Sequence, residues 1–177
     1  MLFPGGRLPL RIFEQRYMDM AKACLKDGSP FGVCLIREGA EVGEPAIPAE
    51  VGTLARITTW DMPQLGVLHV IAVGAQRFRI KAHRVAPGGL ARGDVELLDA
   101  DADSPVPEHC VKCVKILQRV IGEQPDLLEP PHRIDSASWV GSRLTELLPL
   151  ALSSKQELLE LADARARLER LNALLGR

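Results

Sequence analysis

The sequence predicts an α+β protein, strands first and helices second. Apolar residues alternate with polar ones in several short runs over the first hundred residues. Apolar residues recur at helical spacing over the remainder. An acidic, proline-bearing stretch around residues 99–107 separates the two patterns. The boundary is drawn at residue 100: a strand-rich domain over 1–100 and a helical extension over 101–177. The 177 residues suit one domain, or one with such an extension, and 46% apolar against 25% charged residues is ordinary for a packed core. Aromatic residues are only 4%, so the core must be built from Leu, Val, Ile and Ala.

The first strand is read at Leu8, Leu10 and Ile12, which alternate with Pro9 and Arg11. Proline cannot donate to a ladder, so this strand belongs at an edge. From Glu14 the period lengthens. Phe13, Tyr17, Met20, Ala21 and Cys24 share one helical face, and Gly28 ends the helix. Residues 31–36 form a compact apolar run, read as a buried strand. Residues 38–50 hold four glutamates, two prolines and two glycines and read as a loop. Residues 52–60 and 67–73, around a polar tip at 61–66, predict an antiparallel hairpin. A third run at 76–85 would turn Phe78, Ile80 and Ala82 one way and Arg77, Arg79, Lys81 and His83 the other. Pro87-Gly88-Gly89 marks a turn, and 94–98 a last strand. Several short antiparallel strands with one early helix suggest a small, partly closed barrel.

Beyond the acidic linker, Val111, Val114, Leu117, Val120 and Ile121 mark a helix, and Pro125, Pro130 and Pro131 break the chain again. Residues 136–148 give a second helix around Trp139, Leu144, Leu147 and Leu148. Ser154 and Glu157 have capping-box spacing at the start of a third. Its stripe runs on through Leu158, Leu161, Leu168, Leu171 and Leu175, with a short break between Leu161 and Arg165.

Charge narrows the partners. A net charge of −1 argues against a chain held on nucleic acid or anionic lipid by bulk charge. No apolar run reaches the roughly 18 residues of a membrane span. No signal peptide is recognised at the start, so the expected home is the cytoplasm. Of the four cysteines, Cys24 and Cys34 read as small core residues. His109, Cys110 and Cys113 give His-Cys-x-x-Cys, but no second ligand pair exists for a structural zinc site. Two cysteines three apart on a helix read as packing, and neither a metal nor a cofactor is expected.

Several stretches carry a resemblance to one family. Leu2-Phe3-Pro4-Gly5, Leu8-Pro9-Leu10, and Ile12-Phe13-Glu14 with Arg16-Tyr17 resemble the opening of the N-terminal, substrate-binding domain of Lon-type proteases. Gly52-Thr53-Leu54-Ala55 with Ile57 resembles its central strand. Gly74 with Arg77-Phe78-Arg79-Ile80 resembles a later one. Leu148-Pro149, Lys155-Gln156, Leu158-Leu159-Glu160 and Arg167-Leu168 resemble the helical part that follows. The resemblance implies a PUA-like pseudo β-barrel with a C-terminal helical bundle, and a role in recognising polypeptides. It also implies a strand before Phe3-Pro4. Here that strand is expected to be missing or supplied from upstream, which would leave one edge of the barrel open.

No catalytic machinery is expected. There is no Gly-x-x-x-x-Gly-Lys-Ser/Thr loop and no Gly-x-Ser-x-Gly elbow. Ser154-Lys155 are neighbours at a helix start rather than a dyad. Glu14 at the first turn of a helix and Arg77 on a strand are read as an ion pair locking the two, ahead of a ligand clamp. Phe13, Glu14, Arg16, Tyr17 and Arg77 are thus structural residues. Arg77, Arg79, Lys81, His83 and Arg84 make a basic stripe. RNA is the second choice of partner, because the stripe lacks aromatic platforms. At the hairpin tip, Trp60, Met62, Pro63 and Leu65 are read first as packing on the core and second as a contact for apolar segments of other proteins. Trp60, Met62 and Leu65 are the candidate polypeptide-binding residues of a non-catalytic recognition module.

Overall fold

The structure, a computed structural model, describes residues 1–39 and 46–176. It forms two compact units, Met1–Asp99 and Ala100–Arg177. In the first, β1 (Arg7–Ile12) leads into α1 (Gln15–Asp27), followed by β2 (Phe31–Glu38), β3 (Ile47–Gln64), β4 (Val67–Val85) and β5 (Ala91–Leu97). All strand pairs are antiparallel, in the order β1-β4-β3-β2, with β5 also on β4. β1 lies at the end of that order, as Pro9 requires. α1 ends at Gly28, whose φ of 65° is the left-handed cap that glycine adopts without a Cβ clash.

The hairpin is longer than its sequence pattern shows. The runs read as separate strands at 67–73 and 76–85 are one strand of 19 residues. Gly74 between them makes no turn. It opens room for the N-terminal segment: a Cβ there would lie 2.2 Å from the Phe3 carbonyl oxygen. Gly5 N–H donates to the Gly74 carbonyl and Gly74 N–H to the Gly6 carbonyl, both at 2.8 Å. Thr53 Oγ1 donates to the Leu2 carbonyl at 2.7 Å, and Leu2 and Phe3 are buried. Residues 61–64, expected in the tip, continue β3, so only Leu65 and Gly66 turn the chain.

Other expectations need correction. Residues 47–50 belong to β3 rather than a loop; residues 40–45 of that loop lie outside the described residues. β2 is not a buried strand: it closes one end of the sheet order, and most of its residues are half-buried or exposed. The buried face of α1 is Met18, Ala21 and Cys24, while Phe13 is exposed. Ile12 takes the last inward position of β1, so the next residue in the alternation turns outward. Of Phe78, Ile80 and Ala82 only Phe78 is buried, and Arg77, assigned to the solvent face, is buried too. The core lies between α1 and the sheet. One cluster gathers Leu2, Cys24, Phe31, Ala55 and Ala72, and another Ile12, Met18, Ala21, Leu68 and Val70.

The second unit holds a 3-10 turn (Glu108–Cys110), α2 (Val111–Glu123), a second 3-10 turn (Pro125–Leu127), α3 (Ala137–Leu147), α4 (Leu152–Glu160) and α5 (Ala164–Leu175). Ser136 caps α3, accepting from Trp139 N–H at 3.1 Å, and Asp163 caps α5, accepting from Ala166 N–H at 2.7 Å. Ser154 does not cap α4. The helix begins a turn earlier, with Ala151 at its cap. Lys155 instead donates its amine to the Glu146 carbonyl at 2.9 Å, satisfying an orphan acceptor at the end of α3.

The acidic stretch is no free linker. Arg167, fully buried, forms an ion pair with Asp101 and donates to the Leu158 carbonyl at 2.8 Å and the Leu161 carbonyl at 2.6 Å. Asp103 pairs with Arg133 and accepts from Ser136 Oγ at 2.6 Å. Pro105 bridges to Ser136, and Ala137 N–H donates to the Ser104 carbonyl at 2.8 Å. The break between α4 and α5 is where Arg167 reads two carbonyls at once.

Replacing Arg167 with Met strands the Asp101 carboxylate and two buried carbonyls. A loss of about 3–5 kcal/mol is expected, read by urea unfolding of the full chain. Arg167→Lys recovers only part of it, since an ammonium cannot serve carboxylate and carbonyls in one plane. Stability within about 1 kcal/mol of the parent in Arg167→Met would sink this account.

Candidate functional site

The end of the β3–β4 hairpin stands clear of the core. Every residue from 58 to 66 is exposed. Trp60 is 59% exposed, Met62 39% and Leu65 93%, so packing, the first reading of these side chains, is not what the structure shows. Register explains the exposure. α1 covers β4 at Leu68 and Val70; Trp60 stands beside Val70 on the neighbouring strand β3, outside that cover, and the hairpin continues past it to Gln64↔Val67. The projection is held by its own ladder, by Thr58 Oγ1 donating to the Ile71 carbonyl at 3.1 Å, and by Asp61 Oδ1 accepting from Met62 N–H at 2.8 Å.

Trp60 also walls a groove of about 440 Å³ formed by β1, β4 and β3. Two cross-strand rows line it. Pro9, Ile71 and Thr59 form one, and Arg11, His69 and Asp61 the other. The groove is therefore apolar along one row and ionic along the next. β1 pairs with β4 alone among the described residues, so its far edge offers main-chain groups beside the groove. An extended polypeptide laid there could bury an apolar side chain against Pro9 and Ile71 and hydrogen-bond the strand edge.

The residues singled out around α1 form a different arrangement. Glu14 pairs with Arg16 at 3.0 Å, and the Arg16 guanidinium lies 4.7 Å from the centre of the Tyr17 ring. Arg16 Nη1 donates to the Gly89 carbonyl at 3.0 Å, which ties the start of α1 to the β4–β5 turn. Arg16 thus makes the helix-to-sheet link expected of Arg77. Arg77 is buried in β4, in register with Thr53. No periodicity points to a turn carbonyl 73 residues away, so the Arg16–Gly89 contact had no sequence signal. A second concavity, about 800 Å³, lies beside this link between α1, the start of β2 and the β4–β5 turn. Its charges balance: Arg16 and Arg92 against Asp19 and Asp27.

The structure lends the basic stripe no support as a nucleic-acid face. Arg77 is buried, and Phe78, its one aromatic, is buried with it. Lys81 is paired with Glu96, whose carboxyl is held below its usual range by the hydrogen bond from Lys81 and then by its charge. The thiols are equally unsuited to chemistry. Cys110 and Cys113 are fully buried, and Cys113 Sγ lies 3.6 Å from Asn172 Oδ1. Burial pushes the Cys113 and Cys34 thiols up to about 11. His109 faces Glu169 at 3.3 Å. Among the described residues no group of three or more His, Cys, Asp or Glu side chains is placed to hold a metal ion. Nor is any helix long and apolar enough to cross a membrane among these residues.

Comparison with known proteins places this chain beside Lon proteases and their N-terminal domains. The family model of the ATP-dependent protease La (Lon) substrate-binding domain matches residues 1–177. A solved Lon N-terminal domain protein from Xanthomonas campestris superposes with a TM-score of 0.82 and 37% identity, covering 98% of this chain and 92% of that one. The N-terminal domain of a Mycobacterium avium complex Lon protease superposes at 0.65 with 18% identity, covering 97% and 90%, and shares the fold. The Lon protease of Methylocella silvestris is 25% identical over 99% of this chain. The chain spans only 22% of the length of that relative.

Thiols held near 11 carry about a hundredfold less thiolate at neutral pH than thiols at 9. Cys34, only partly buried, is therefore expected to alkylate with iodoacetamide about a hundredfold more slowly in the folded chain than after denaturation, followed by mass spectrometry. Labelling of native Cys34 at the unfolded rate would contradict its placement.

Proposed function

Because this chain belongs to the family of the substrate-binding domain of the ATP-dependent protease La (Lon), we propose that it is a module that captures polypeptides and performs no bond-breaking step of its own. The observation that carries this reading is the exposed apolar end of the β3–β4 hairpin, where Trp60, Met62 and Leu65 face solvent on a sheet whose β1 edge pairs with β4 alone among the described residues. Exposed apolar side chains on a rigid ladder favour partners whose own apolar residues are uncovered, as in unfolded or partly folded chains. Selectivity then comes from what a segment exposes, since backbone pairing along β1 is indifferent to side-chain identity.

In the same proposal the first unit is a PUA-like pseudo-barrel, supported by the β1-β4-β3-β2 order and by the register shifts along β3 and β4 that bend the strands. The second unit is a helical bundle serving as its extension, and the division near residue 100 separates recognition from that support. The module works in the cytoplasm without cofactor or metal. Phe13, Glu14, Arg16, Tyr17 and Arg77 are scaffold. Any unfolding or cleavage of captured polypeptide belongs to other domains or other proteins.

The test is binding of a permanently unfolded polypeptide, such as reduced and carboxymethylated lactalbumin, followed by fluorescence anisotropy. Trp60→Ala is expected to weaken binding about thirtyfold, the effect of removing a contact worth about 2 kcal/mol. Leu65→Ser and Met62→Ala give smaller losses. None of the three should shift the thermal midpoint much, because each side chain is exposed. A Trp60→Ala, Met62→Ala, Leu65→Ser triple variant that binds as tightly as the parent would refute the assignment.

A further inference from the structure

The β4–β5 ribbon carries features that polypeptide capture at the other hairpin does not use. The β3 ladder ends at Arg79, and beyond it β4 and β5 continue as a pair. Residues 81–85 and all seven residues of β5 are exposed. A two-stranded ribbon wet on both faces is marginal by itself. Register divides it into unlike faces. Phe78, Ile80, His83 and Val85 share one face with Leu97, Val95, Gly93 and Ala91. Arg79, Ala82 and Arg84 share the other with Glu96, Asp94 and Arg92. On the apolar face Val85 and Leu97 are each 52% exposed and Val95 41%. On the charged face Arg84 stands directly opposite Arg92, a repulsive cross-strand pair, and neither has an ion-pair partner among the described residues.

We propose that the edge of β5, which among the described residues pairs with β4 alone, receives β5 of a second copy of this chain, antiparallel about a two-fold axis through Asp94. β5 is complementary to itself in this register. Arg92 faces the partner's Glu96 on both sides of the axis, which sets a carboxylate beside each Arg84·Arg92 pair. Asp94 meets the partner's Asp94 on the axis, with the partner's Arg92 diagonally next to it. On the opposite face Leu97 lies against the partner's Ala91, and Val95 against the partner's Gly93, large beside small. Val85, Ala91, the partner's Leu97 and the partner's Phe78 then form one continuous apolar row. An arbitrary polypeptide strand has no such register, so the pattern selects a second copy.

Sedimentation equilibrium of the full chain is expected to show a dimer in concentration-dependent exchange with monomer. Arg92→Glu and Glu96→Arg, each placing like charges opposite one another twice, should weaken it roughly tenfold or more. Mixed in equal amounts, these two variants should form a heterodimer as tight as the parent dimer, because both facing pairs are again opposite in charge; native mass spectrometry resolves the species. This recovery also separates a lost interface from a misfolded variant. A parent chain that stays monomeric up to sub-millimolar concentration, a dimer indifferent to both substitutions, or a mixture no tighter than its components would overturn the proposal. So would protection of β5 amides from hydrogen exchange by added unfolded polypeptide without self-association. Polypeptide capture at Trp60 is unaffected by any of these outcomes.

Discussion

Strand β4 has partners along both of its edges, and the first unit is organised by that fact. β3 follows one side from Val67 to Arg79. On the other, β1 occupies the half from Leu68 to Val73 and β5 the half from Phe78 to Val85. At the change-over sits Gly74, over which the N-terminal segment crosses and exchanges two backbone hydrogen bonds. A side chain there would meet the Phe3 carbonyl. Backbone ladders set the arrangement, and α1 needs only Met18, Ala21 and Cys24 to cover the inner face. A long strand sharing its edge between two short ones also leaves the β4–β5 ribbon projecting past the ladder of β3.

Two enclosed arginines follow a single logic. Arg167 is enclosed with Asp101 and two helix-end carbonyls, so its charge and its hydrogen-bonding capacity are met together. Arg16 has Glu14, the Gly89 carbonyl and the Tyr17 face. A charge enclosed this way is costly to disturb and fixes the relation of the elements it joins. Catalysis needs a titratable group near its working range with open space before it. The thiols raised by burial and the arginines enclosed by carbonyls offer the reverse.

The sequence by itself determined the strand-then-helix order, the edge position of β1, the Gly28 stop of α1, the Pro87-Gly88-Gly89 turn and the break before α5. Each rests on a local rule: a period of side chains, a missing N–H, a glycine that tolerates left-handed backbone. The motifs around Phe3-Pro4, Gly52-Thr53 and Arg77-Phe78 were enough to show the family resemblance. Tertiary structure decided the rest. It merged two strands across Gly74, because a glycine needed for close approach and a glycine needed for a turn read alike. It turned the acidic linker into the strap that holds Arg167, and gave Arg16 the role expected of Arg77. It also placed Trp60, Met62 and Leu65 in solvent, although a pattern of apolar residues cannot say whether a neighbouring element covers them. These outcomes depend on what lies across the fold from each residue, and a one-dimensional pattern carries only what lies beside it along the chain.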